Sequence, residues 1–159
     1  MADVQEKTLP LTLEAEAVQF PSTHYVFIEK RGSIPANAAQ AWSELHTRLP
    51  TITEHNTVAG FLSLYRMDEG IYRAGVALDA APRQLPAGLQ YERFAGGKYR
   101  KFVLKGSYSQ LPQATGQAVR TVRESQFQLR NDFNIERYVN DPRSTPEDQL
   151  LTEILFPAE

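Results

Sequence analysis

The chain contains no cysteine, which excludes disulfides, thiolate metal sites, iron–sulfur clusters and cysteine nucleophiles and fits a reducing compartment. It also lacks a charge excess. Seventeen Lys and Arg against nineteen Asp and Glu leave a net charge of −2, so no global field draws it to nucleic acid. No run approaches the ~20 apolar residues of a membrane span. The opening MADVQEKTLPLTLEAEA carries acids where a signal peptide needs a basic start and an apolar core. A cytoplasmic protein with no membrane partner is the expectation. His24, His46 and His55 form no HExxH or other ligand pattern, so no metal is expected. Gly96-Gly97 precedes a strand instead of opening a helix, which removes the physical basis of a phosphate loop, and no GxSxG elbow occurs. No cofactor is expected. Arg120, Arg123 and Arg130 read as a solvated helix face, not a nucleic-acid patch.

What is present suits a folded domain. With 159 residues, 42% hydrophobic and 23% charged, the chain can form one compact unit, or two small halves sharing a core. Residues 11 to 19 alternate, with Leu11, Leu13, Ala15 and Ala17 on one side of a strand. Residues 24 to 30 read as a second strand, closed by Gly32-Ser33. From Ala36 to Leu49 apolar positions Ala38, Ala41, Trp42, Leu45 and Leu49 recur at helical spacing, with Pro35 suited to the start and Pro50 to the end. A polar connection, 51 to 56, leads to strands 59 to 67 and 71 to 78, a hairpin turned at Asp68-Glu69-Gly70.

Residues 80 to 88, AAPRQLPAG, admit neither a continuous helix nor a central strand and form the linker. The same order then returns: strands 89 to 94 and 99 to 104, a Gly106-Ser107 turn, and a helix from 109 to 129 with the stripe Leu111, Ala114, Ala118, Val119 and Val122. Strands 133 to 139 and 150 to 156 close the chain. YVFIEKRGSI at 25 to 34 aligns without a gap on YRKFVLKGSY at 99 to 108. We read this as an internal repeat, 11–79 and 88–157, joined by the linker 80–87 within one domain spanning 1–159. Small halves have poor surface-to-volume ratios, so they gain by packing side by side, and the seam is the natural cleft.

Several segments together carry a family resemblance. They are Gly96-Gly97-Lys98-Tyr99, Gly106-Ser107-Tyr108, the run from Ile135 to Pro142, the ending Leu151 to Pro157, and, more weakly, Lys30-Arg31-Gly32-Ser33 and Tyr72 to Val76. The chain resembles the GyrI-like small-molecule-binding family, which takes its name from the DNA gyrase inhibitory protein and includes the effector-binding domains of multidrug-responsive transcription regulators. The resemblance implies an α+β fold: duplicated strand-helix-strand-strand modules forming a pseudo-twofold antiparallel sheet, with two main helices and a ligand cleft at the seam. Two departures stand out. Many relatives have a Trp late in the second helix, where this chain has Val122, Ser125 and Phe127. The regulators also carry a helix-turn-helix, whereas only about ten polar residues precede the first strand here, so direct nucleic-acid binding by that route is not expected.

Glu136 and Glu153 are the candidate charged residues because each interrupts an apolar or aromatic strand. If the last two strands pair with Ser144 and Thr145 central in their loop, the two acids face each other, and a bound cation or a shared proton relieves the crowding. The alternative reading puts both on a solvent face beside Arg137 or Lys101. The resemblance favours the pocket, since the family has a pocket carboxylate at the position matching Glu153 and a recurrent Glu at that matching Glu136. Candidate aromatic walls are Phe61, Tyr65, Tyr91, Tyr99, Phe102, Tyr108 and Tyr138; Trp42 suits either the core or the wall. Flat rings fit planar or cationic guests, at ~0.5 to 2 kcal/mol per good cation–π contact.

The leading expectation is a binding module, sensing or sequestering small hydrophobic or cationic organic molecules without its own DNA-binding segment. One alternative is a hydrolase of strained, cyclopropane-bearing electrophiles with Glu153 or Glu136 as general base. The other is a protein-partner role, with gyrase or a transcription regulator as target.

Overall fold

Strands form where aromatic and β-branched residues cluster, and helices where apolar residues recur at three and four. The computed structural model describes residues 15–125 and 128–159. In chain order the elements are β1 (Glu16–Phe20), β2 (Thr23–Arg31), α1 (Ile34–His55), β3 (Val58–Arg66), β4 (Ile71–Leu78), β5 (Gln90–Phe94), β6 (Gly97–Lys105), α2 (Leu111–Ser125), β7 (Asn134–Tyr138) and β8 (Leu151–Pro157). Short 3-10 turns at Tyr108–Gln110 and Glu147–Gln149 precede α2 and β8. The β3–β4 turn needs Gly70, whose φ of 64° a side chain would strain, and its carbonyl accepts the Gly32 N–H at 2.9 Å. That contact ties the hairpin tip to the start of α1.

All eight strands join one sheet in the order β1-β6-β8-β7-β3-β4-β2-β5, and every pairing is antiparallel. The order is pseudo-twofold about the β3–β7 pair, with three strands on each side of it. The leading strands are exchanged: β1 lies on β6 and β5 on β2. Both helices cover one face. Under α1 lie Val26, Ile28, Tyr72, Ala74 and Val76, and under α2 lie Phe102, Leu104, Ile154 and Phe156. The other face carries its own apolar layer, including Phe20, Tyr25, Phe27, Leu62, Tyr99 and Leu155. The Arg73 guanidinium lies 4.3 Å from the centre of the Phe27 ring while pairing with Glu29 at 2.9 Å.

Three expectations need correction. Pro50 does not end α1, which runs on through the segment read as a polar connection. Proline removes one donor, but the extra turn buries Ile52 to 1% exposure beneath the stripe begun by Ala41 and Leu45. Asn56 then closes the helix, its backbone N–H and side-chain amide both donating to the Ile52 carbonyl at 3.0 Å. At the other helix, α2 is described over Leu111–Ser125 and does not reach Leu129, which instead bridges Ala158. Phe127 lies outside the described residues, and Arg130 is not on a helix face, since it binds the Ala158 and Lys98 carbonyls. Beside β1, Ala15 packs on the layer under α2 as the alternation implies, but Ala17 is exposed, and Val18 and Phe20 supply the second-face apolar layer; Leu11 and Leu13 lie outside the described residues.

If Ile52 is what holds α1 together beyond the proline, Ile52→Ala should cost ~2 to 5 kcal/mol in urea unfolding. A cost below ~1 kcal/mol would assign the last turn to local propensity.

Candidate functional site

The seam is the antiparallel pair β3–β7, in which Phe61 stands opposite Tyr138, Ser63 opposite Glu136, and Tyr65 opposite Asn134. Directly paired residues share a face, and this face is the one beneath the helices. Trp42 and His46 border it from α1. Trp42 meets Tyr138 edge to face at 5.4 Å and tilts toward Phe61 at 6.5 Å, and His46 stacks with Phe61 at 6.5 Å. On the far side Tyr108 meets Tyr138 at 5.5 Å. Trp42, Phe61, Tyr108 and Tyr138 are only half-buried, so each offers part of its surface to a guest. An open cleft of about 340 Å³, lined by Tyr108, Pro142, Thr145 and Leu150 among others, leads up to the Tyr108 ring.

Behind these rings runs a chain of polar groups. The Trp42 indole N–H donates to the Tyr72 hydroxyl at 2.8 Å, with a longer approach to Ser63 Oγ at 3.3 Å. Tyr72 and Ser63 hydroxyls are 2.6 Å apart, and Ser63 and Tyr138 hydroxyls 2.8 Å apart. Tyr138 donates to Glu136 Oε1 at 2.9 Å, and Thr115 approaches the same carboxyl from α2. Burial pushes the Glu136 carboxyl above its ordinary value, partly offset by the Tyr138 and Thr115 hydroxyls, which favour the charged form. Burial likewise raises Tyr72 and Tyr138, so both keep their protons. Among the described residues Glu136 forms no ion pair. Among the described residues three further buried hydroxyls have no partner: Tyr65, Tyr108 and Thr152. All three border this floor, since Tyr65 lies two residues along β3 from Ser63, Tyr108 packs on Tyr138, and Thr152 pairs with Tyr138 from β8. Buried hydroxyls without protein partners are uncommon, and each is open to a partner from water or from a guest.

Glu153 does not share this site. The last hairpin pairs Glu136 with Ile154 and Arg137 with Glu153, one residue off the register that would set the acids face to face. The Asn140 side chain fixes that register by accepting the Leu151 N–H at 2.9 Å and donating to the Gln149 carbonyl at 3.2 Å. A one-residue shift reverses the face of every side chain, so Glu153 lies on the opposite side of the sheet. There it pairs with Arg137 at 3.2 Å and Lys101 at 3.5 Å. The carboxylates therefore do not crowd, and for Glu153 the ion-paired alternative is what the structure shows.

The aromatic candidates divide in the same way. Trp42, Phe61, Tyr108 and Tyr138 gather at the seam, with Tyr65 buried beside them. Tyr99 sits in the opposite layer with its hydroxyl on the Phe133 carbonyl at 2.8 Å. Phe102 is fully buried under α2, packed on Phe156 at 6.0 Å. Neither lines the cleft, because β8 lies between β6 and the β3–β7 pair, and Tyr91 is exposed on the outermost strand β5 with its hydroxyl 2.7 Å from His24 Nδ1. Sequence reasoning missed Ser63, Tyr72, Thr115 and His46. A signal existed for one of them: Ser63 is a small polar residue at an inward position of the apolar strand FLSLY. Among the described residues no group of three or more His, Asp or Glu is placed to hold a metal ion, and no helix is long and apolar enough to cross a membrane.

The topology is that of an α+β domain in which an aromatic seam lies over a desolvated carboxyl. The sequence profile of the GyrI-like small molecule binding domain matches residues 14–159, and the chain belongs to that family. No curated protein sequence matches it. Its fold is similar to that of SAV2435 bound to tetraphenylphosphonium, with TM-score 0.72 and 19% identity over 92% of this chain and 94% of that one. The C-terminal domain of EcmrR aligns with TM-score 0.73 and 14% identity over 92% and 97%. A hydrolase from Listeria innocua aligns with TM-score 0.60 and 11% identity over 98% and 96%.

The raised Glu136 carboxyl carries a stability consequence. The folded state holds its proton more tightly than the unfolded chain, so stability falls as pH rises from the ordinary carboxylate range through the raised folded value. Glu136→Gln removes that cost and keeps an acceptor for Tyr138. At pH 7 it should raise the melting temperature, by roughly 2 to 4 °C for each kcal/mol recovered, and at pH 4 the two proteins should melt together. A variant that melts lower at pH 7 would show instead that the ionised carboxyl is stabilised where it stands.

Proposed function

We propose that the protein binds hydrophobic, positively charged organic molecules at the β3–β7 seam, as an effector-sensing or sequestering module. The observation that carries this reading is the Glu136 carboxyl: desolvated, supplied with hydroxyls but no cation, and set among half-buried aromatic rings. A lipophilic cation would meet ring faces on Trp42, Phe61 and Tyr138 and bring the missing charge. The unpartnered hydroxyls of Tyr65, Tyr108 and Thr152 offer further polar contacts. Glu153, already held by two basic side chains, has no part in this reading.

A second reading draws on the same carboxyl. A Glu whose proton affinity is raised lies nearer the working range of a general base. Glu136 would take a proton from a water that attacks a strained ring carbon, the ring bond would break, and the departing carbon would be protonated as the water oxygen adds. The similarity to a hydrolase is one of fold, and it is compatible with either outcome.

Calorimetric titration with tetraphenylphosphonium and with neutral triphenylphosphine oxide tests the binding reading. The cation should bind more tightly, and its affinity should rise with pH through the Glu136 titration because a bound cation favours the ionised carboxyl; the neutral compound should show no such rise. Glu136→Gln should remove the preference, and Glu153→Gln should leave it. Equal affinities at every pH would overturn the assignment. Incubation with a cyclopropane-bearing electrophile, followed by product analysis, separates the second reading: ring-opened product lost in Glu136→Gln would establish turnover.

A further inference from the structure

The polar chain behind the seam has only one possible direction. An ionised carboxylate can only accept, so Tyr138 spends its single proton on Glu136 at 2.9 Å. Ser63, 2.8 Å from Tyr138, must then be the donor there. That commits the only proton of Ser63, so Tyr72 donates to Ser63 across 2.6 Å. With the Tyr72 proton used, its oxygen is free to accept the Trp42 indole N–H at 2.8 Å, and an indole N–H can do nothing but donate. The arrangement closes at both ends. Four donors point one after another toward the carboxylate, and aligned hydrogen bonds of this kind polarise one another.

Reversing the chain fails. A protonated Glu136 donating to Tyr138 would turn Tyr138 toward Ser63 and Ser63 toward Tyr72, leaving the Tyr72 proton facing the Trp42 N–H. Ser63 is the point on which this depends, because it is completely buried and bonds to groups from α1, β4 and β7.

We propose that Ser63 is a positioning residue, whose hydroxyl, held by Tyr72 and Trp42, keeps the Tyr138 proton aimed at Glu136 and so sets the preference of the seam for cationic over neutral guests. The inference rests on the binding reading above for its link to ligand charge. The groups facing Glu136 are Tyr138 on its own strand, Ser63 and Tyr65 from β3, Tyr72 from β4, Thr115 from α2 and Ile154 from β8. None of them is a base that could replace the hydroxyl chain.

The test follows the Glu136 carboxyl directly, by carbon-13 NMR of Glu-labelled protein across pH, in the native chain, Ser63→Ala and Tyr72→Phe. Circular dichroism confirms that each variant is folded. Tyr72→Phe breaks the same chain one link further back, so the proposal does not hang on one variant. Both should move the Glu136 midpoint upward. Tetraphenylphosphonium affinity at pH 7 should fall roughly fivefold, as expected for one oriented hydrogen bond, with triphenylphosphine oxide affinity within about twofold of native. A midpoint unchanged in both folded variants overturns the inference whether or not any compound binds. A shifted midpoint in a protein that binds neither compound overturns the proposed function and the link to ligand charge, while the control of Glu136 by Ser63 stands on the carbon signal alone.

Discussion

The pairing of β3 with β7 is the interaction on which the rest of the structure depends. It is the only ladder that joins the inner strands of the two halves, and it sets Phe61 beside Tyr138 and Ser63 beside Glu136. Neither half owns the site. Glu136 and Tyr138 come from the second half and Ser63, Tyr72 and Trp42 from the first, so the carboxyl and the donors that address it meet only when the sheet is continuous. Each half alone would leave a helix-covered sheet with two raw edges and a surface-to-volume ratio too poor for a stable core.

The seam costs stability. A carboxyl placed among rings loses hydration, and the hydroxyls of Tyr65, Tyr108 and Thr152 are buried without partners. Elsewhere the protein avoids such arrangements: the Tyr25 hydroxyl donates to the Leu62 carbonyl at 2.9 Å, and Arg73 is shared between carboxylates and ring faces. Among the described residues these unmet polar groups are concentrated at one place, which supports the binding role proposed for the seam.

Much of the fold was legible because it rests on local patterns. The β4 strand, the 68–70 turn and the irregular segment after residue 79 stand where alternation and glycine place them, and the helix stripes at Ala41–Leu45 and Ala114–Ala118–Val122 follow from spacing. What was not legible depends on contacts between distant residues. Pro50 reads as a stop until the pocket that receives Ile52 is known. The last hairpin reads one residue out of register because the clamp that decides it is a single Asn140 side chain, acting on residues nine and eleven positions away. That one step moved Glu153 to the other side of the sheet and left Glu136 alone under the helices. Tyr99 and Phe102 were misplaced for a related reason, since strand order, which no local pattern encodes, puts β6 two strands from the seam.

The exchanged leading strands make each end of the sheet depend on a strand from the other part of the chain. Because β1 completes the sheet end built by the second half, and β5 the end built by the first, a chain severed between β4 and β5 would give two pieces that each lack a border and carry the other's. Such pieces are suited to reassembly with one another and poorly suited to independent life.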